Sequence, residues 1–213
     1  MKMEKKKIMG VAVVAALSAA AIAGCAGMTS GTGNADADAL ALMKAAFKSQ
    51  GPVDVDVVLS PDDAMKMCSR YENTAPAGIA KEIEATEMKS IKAPADGKYM
   101  GDWMRGEVVA QTGVGMQFSD KVGAANGGNC YACHQISPKE ISYGNIGPSL
   151  LHYGKLRGNS QPIVQYTWGK IYDAQAYNAC SLMPRFGHNG VLTEQQMKDV
   201  VALLLDSASP VNQ

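Results

Sequence analysis

Two cysteines two residues apart, with a histidine directly after the second, constrain this chain more than anything else in it. The stretch reads Asn129-Cys130-Tyr131-Ala132-Cys133-His134. It lies in a region short of material for a core. Residues 100–207 open on an amphipathic helical pattern over 101–110 and close on another over 193–206. In the second, Thr193 followed by Gln196 fits a capping box. Met197, Val200, Val201, Leu204 and Leu205 then recur at i, i+3, i+4, i+7 and i+8, a core-facing stripe. Between the two helices the chain is rich in Gly, Asn, Pro and Tyr, with few strand-like alternations. A small all-α domain with loops of that length needs something besides its own side chains to fill its middle.

Three chemistries use a C-x-x-C pair. A structural zinc site takes four ligands, typically from two such pairs, and no second C-x-x-C or H-x-H pair is present. A thioredoxin-like redox pair opens a helix in a βαβ setting; no strand pattern flanks this one. The third is C-x-x-C-H, the attachment signature of c-type haem. One helical turn presents both sulfurs to the porphyrin edge, where each adds to a vinyl group, and sets His134 under the iron. The sequence therefore reads as one covalent haem c on Cys130 and Cys133, with His134 as proximal iron ligand. The haem also supplies the missing core.

A sixth ligand must come from elsewhere. Met197 belongs to the helix stripe and reads as core. Met183 lies in Ser181-Leu182-Met183-Pro184-Arg185-Phe186-Gly187, where Pro184 ends any helix and fixes an extended loop. Such a loop can fold over the opposite face of the ring, so Met183 is the expected ligand and His188 the runner-up. His152 reads as an ordinary polar or haem-edge residue. A thioether is a soft, weak donor that favours ferrous iron, and with both axial positions filled the iron suits electron transfer. In Ile146-Gly147-Pro148-Ser149-Leu150, the Pro148 carbonyl is placed to accept the second N–H of His134 and fix the ring. Arg185, Trp168 and nearby tyrosines are candidates for the haem propionates, or for plain packing.

The N-terminus agrees with that chemistry, since haem c is attached outside the bacterial cytoplasm. Lys2, Lys5, Lys6 and Lys7 precede an apolar run over 8–23, too short to span a bilayer comfortably. Residues 1–24 read as a signal peptide. Ile22-Ala23-Gly24-Cys25 resembles the bacterial lipobox, in which the cysteine is acylated; the alternative is ordinary cleavage after Ala23 or Gly24. A lipid on Cys25 would tether an otherwise soluble periplasmic protein to a membrane. Of the 5 cysteines, Cys68 and Cys180 then remain. In an oxidising compartment they suggest a disulfide, against the alternative of two buried thiols.

Apart from Cys25 and Met28, residues 25–38 are Gly, Ser, Thr, Asn, Asp and Ala, a linker composition. A helix is expected over 39–50, ended by Gly51-Pro52. Ser60 reads as the cap of a second helix, with Pro61 at its first position and the acids of Asp62 and Asp63 in its first turn. That helix carries Cys68. A third is expected over 78–90, with Ile79, Ile83 and Met88 near one face. The expected organisation is a helical extension over 39–98 and a haem-binding domain over 99–213, all α. With 20 Lys+Arg against 20 Asp+Glu and no long basic block, nucleic acid is not an expected partner.

The order helix, C-x-x-C-H, G-P-x-L, methionine loop, helix resembles class I cytochromes c over residues 100–207. The longer phrases are Gly127-Gly128-Asn129-Cys130-Tyr131-Ala132-Cys133-His134-Gln135, Lys139-Glu140-Ile141-Ser142-Tyr143-Gly144 and Met183-Pro184-Arg185-Phe186-Gly187-His188-Asn189-Gly190. They look like the SoxX family of monohaem cytochromes from bacterial sulfur oxidation. The resemblance implies a heterodimer with SoxA, a monohaem or dihaem cytochrome that bears the catalytic haem. That complex is an L-cysteine S-thiosulfotransferase, which oxidatively couples thiosulfate to a cysteine of the carrier protein SoxYZ. The SoxX-type subunit takes the electrons and passes them to a downstream cytochrome c. No thiosulfate chemistry falls on a residue of this chain. The lipobox is a departure from what the resemblance implies. From the residues alone, a stand-alone electron shuttle and a sensor with a labile sixth position stay open.

Overall fold

The computed structural model describes residues 35–213; the signal-peptide and Cys25 readings fall outside them. The chain divides into two units, Met1–Ala46 and Phe47–Gln213. Of the first, one helix is described, α1 (Ala35–Ala46), exposed along its whole length. It begins at Ala35, inside the stretch read as linker, and stops at Ala46 rather than at residue 50. Its alanines favour the helix, and Asp36 and Asp38 in the first turn and Lys44 in the last complement its dipole. Farther on, Gln50 and Val53 exchange two N–H···O bonds of 3.1 Å across Gly51-Pro52, so the backbone there is bridged and not helical.

The second unit holds α2 (Val55–Val58), α3 (Asp63–Arg70), α4 (Ala77–Met88), α5 (Trp103–Gln111), α6 (Tyr153–Arg157), α7 (Gln161–Tyr172) and α8 (Glu194–Leu205). Single 3-10 turns occupy Cys130–Ala132, Ala174–Ala176 and Pro210–Asn212. Among the described residues there is no strand, and no helix is long and apolar enough to cross a membrane.

The centre of the fold is the crossing of α5 and α8. Gly106 makes it close: a Cβ there would overlap the Asp199 backbone of α8. The capping box at Thr193 and Gln196 starts α8, and the expected stripe is buried, but so are Lys198, Asp199, Ala202 and Leu203. The polar members are satisfied. Lys198 Nζ meets Asp96 at 2.7 Å and Glu194 at 2.8 Å. Asp199 accepts from the Asp102 N–H at 2.8 Å, from Arg105 at 2.8 and 2.9 Å, and from Gln195 at 2.9 Å. Burial pushes the Asp199 carboxyl up, but those bonds outweigh it and hold it below the usual range.

Helix α7 was not legible in advance, although Ser160 at its cap and Pro162 in its first turn are start signals. It packs Val164, Trp168, Ile171 and Tyr172 into the core. A smaller apolar cluster of Ala64, Cys68, Ile83 and Ala179 joins α3 and α4 to the C-terminal half. Within it Cys68 and Cys180 are bonded, their Cα atoms 5.4 Å apart. Two local expectations are corrected here. Asp62, not Ser60, caps α3, its carboxylate accepting from Met65 N–H at 2.9 Å. In α4, Met88 is exposed and Glu87 is buried in its place.

Candidate functional site

The chain leaves α5 and turns back along it, held by backbone bonds from Gly127 to Val114, Gly128 to Val109 and Asn129 to Thr112, all between 2.8 and 2.9 Å. Asn129 adopts φ 45°, a left-handed conformation that Asn tolerates, and this reverses the chain into the cysteine turn. There the N–H groups of Cys133 and His134 both donate to the Cys130 carbonyl, at 3.1 and 2.9 Å. One turn thus carries both thiols and the imidazole.

A second loop braces this turn. Gly144 N–H donates to the Tyr131 carbonyl at 2.8 Å, Gly147 to Cys133 at 2.8 Å and Leu150 to Gln135 at 2.7 Å. His134 Nδ1 lies 2.7 Å from the Pro148 carbonyl oxygen. A carbonyl can only accept, so Nδ1 carries the proton and Nε2 keeps its lone pair for a metal.

Cys130, His134, Ile136, Leu150, Met183 and Phe186 are among the walls of one apolar cavity. The remaining walls come from α5, α7 and α8 and from Leu192 just before α8, and are aliphatic. An imidazole nitrogen and a thioether sulfur in an apolar lining, with two thiols on the adjoining turn, fit a flat iron macrocycle linked through its edge. They do not fit the rivals. Burial pushes the Cys130 thiol up to about 12, away from the thiolate that dithiol exchange draws on. Nor do Cys130, Cys133 and His134 converge: among the described residues, the His, Cys and acidic ligand atoms that gather within 4.8 Å are those of Glu87, Asp173 and His188.

The other candidate residues lie elsewhere. His188 Nδ1 is 3.0 Å from Asp173 and 3.2 Å from the Ser90 hydroxyl, outside the cavity lining. His152 sits at the start of α6 with φ 55°. Trp168 donates its indole N–H to the Lys92 carbonyl at 2.9 Å. Arg185 is turned away from the cavity toward Asp62 and Glu87. Both are committed to protein partners, which accounts for them without propionates. Asp62, Glu87, Ser90, Asp173, Arg185 and His188 form a polar cluster that no sequence motif announces, with Glu87, Asp173 and Arg185 buried and His188 exposed. Its members come from four separate segments, and local periodicity carries no signal for that.

The Cytochrome c family profile matches residues 115–208. An uncharacterized lipoprotein of Aquifex aeolicus (strain VF5) is 40% identical over 153 residues, which span 71% of this chain and 72% of that protein.

Proposed function

Residues 115–208 are a cytochrome c family domain, and from that premise we propose that the chain is the electron-accepting, SoxX-type subunit of a periplasmic SoxXA complex. It has the class I cytochrome c fold and carries covalently bound haem c, which supplies a one-electron couple at its iron. In the proposed assignment Cys130 and Cys133 would hold the haem, His134 and Met183 would ligate its iron, and the Pro148 carbonyl fixes the His134 ring. The observation that carries an electron-transfer role is the facing of one cavity by both His134 and Met183. Ligation of the iron by His134 and Met183 would leave no position for a substrate. The SoxX-type assignment is supported by the three phrases around residues 127–135, 139–144 and 183–190. It is also supported by an upstream extension whose α3 and α4 pack on the same domain. SoxA, SoxYZ and a downstream cytochrome c are the proposed partners.

The same reading includes a lipid on Cys25. Ile22-Ala23-Gly24-Cys25 supports it, as does the description of the Aquifex relative as a lipoprotein. Mass spectrometry of the N-terminal peptide tests this point, and an unmodified Cys25 removes the tether.

Purification of the native protein from thiosulfate-grown cells tests the whole reading. A stoichiometric second c-type cytochrome, with haem reduction on adding thiosulfate and SoxYZ, is the expected result. Recovery of a monohaem protein alone, unreduced under those conditions, would favour a stand-alone shuttle.

A further inference from the structure

The loop that carries Met183 has little support of its own. Pro184 has no N–H to give, and the Met183 N–H is spent within the loop on the Ser181 hydroxyl, 3.2 Å away. Fixed points lie on either side. Upstream, Cys180 is bonded to Cys68 of α3. Downstream, the N–H groups of Gly187 and His188 both donate to the Tyr172 carbonyl at 3.0 Å. Between these points Phe186 is buried, the Arg185 and Phe186 carbonyls accept from Asn189, Val191 and Leu192 N–H groups, and the Arg185 side chain ties the loop to the upstream helices. That side chain is 4% exposed. One of its terminal nitrogens pairs with Asp62, the cap of α3, and the other donates to Glu87 Oε2 of α4 at 3.2 Å.

We propose that Arg185 is a positioning residue for the sixth ligand: anchored to Asp62 and Glu87, it holds the Met183 loop over the cavity, so that the upstream helices keep the methionine on the iron. The inference rests on the assignment of Met183 as axial ligand. Its basis is the way the loop faces two directions at once. Met183 and Phe186 line the cavity, while Arg185, between them in sequence, points the other way into two carboxylates from two different helices. A buried guanidinium is tolerated only when paired, so moving this loop outward would tear both pairs. His188, through Asp173 and Ser90, pins the next turn of chain in the same sense. A thioether is a weak iron donor, and a loop left to that bond alone would open often. Two otherwise unconnected features are thereby explained: why α3 and α4 pack against the C-terminal half, and why the Cys68–Cys180 bond lands three residues before the methionine.

The test is imidazole binding to the ferric holoprotein. Imidazole enters only when the methionine leaves, so its apparent Kd falls in proportion to the open fraction. Arg185→Gln keeps the bulk and removes both ion pairs; imidazole is expected to bind about tenfold more tightly or better, with a lowered reduction potential. Arg185→Lys, which keeps the charge without the fork, should fall between. Asp62→Asn removes one partner at a less buried position and decides the matter if Arg185→Gln does not fold. Thermal unfolding is followed in parallel. Lost stability with unchanged imidazole affinity and potential would make Arg185 a structural residue only and overturn the proposal. Met183→Ala separates the two assignments. If it leaves imidazole binding unchanged, the ligand assignment has failed and the clamp with it. If it tightens binding while Arg185→Gln and Asp62→Asn match the parent, the ligand stands and the clamp falls.

Discussion

The Nδ1 atom of His134 hydrogen-bonds the carbonyl oxygen of Pro148, the residue after Gly147, at 2.7 Å. The same short loop therefore sets the ring's orientation and supplies its backing. A Cβ at Gly147 would overlap the imidazole. Gly147→Ala is expected to displace the ring, lose the Pro148 bond and cost about 1–3 kcal/mol of stability. Urea unfolding and potentiometry of the holoprotein check it; unaltered stability and potential would mean the ring has room to spare.

The Cys68–Cys180 bond closes a loop of 112 residues. A loop of that order restrains the unfolded chain by about 4–5 kcal/mol in the chain-entropy view. Reduction, or Cys68→Ser with Cys180→Ser, is expected to lower the unfolding free energy by about 2–5 kcal/mol while the haem thioethers stay intact. Denaturant titration with and without reductant measures this. Two thiols open to alkylation in the native, unreduced protein would contradict the bond.

Acid–base behaviour should report on the cluster behind the methionine loop. Burial, then the hydrogen bond and charge of Asp173, push Glu87 from 4.5 up to about 7, against the opposing pull of Arg185 and with a further push from Asp62. The folded state then holds more protons than the unfolded one between those values, so stability falls as pH rises from about 4.5 to 7. The contribution is complete below the unfolded value and lost above the folded one. Asp62 and Asp199 are held below their ordinary range and act in the opposite sense, at more acid pH. Glu87→Gln, which leaves Asp62, Asp173, Arg185 and His188 in place, is expected to flatten the slope over that window in denaturant titrations. An unchanged slope would place the titration elsewhere.

What the sequence disclosed was what short range decides. The box at Thr193 and Gln196, the α8 stripe and the cysteine turn are each set within a few residues, and each could be read directly. Proline after Gly147 pointed to the carbonyl that meets His134, because the spacing from the haem motif is itself short. What stayed hidden was set by partners far along the chain. Asp62 prevails over Ser60 as the cap of α3 in company with Arg185, 123 residues downstream. Glu87 takes a buried place that an apolar reading gave to Met88. Helix α7 was obscured by its tyrosines and by Gly169, where the close approach of Tyr177 leaves no room for a side chain. Lys198 and Asp199 look like a polar face of α8, yet they are buried and paired.

The most direct measurement is the ferric spectrum and midpoint potential of Met183→Ala holoprotein beside the parent. With Met183 as the sixth ligand, the substitution opens that position, removes the methionine–iron absorption and lowers the potential. A spectrum and potential identical to the parent's would contradict the His134–Met183 pair, and with it the assignment of this cavity as a closed electron-transfer site.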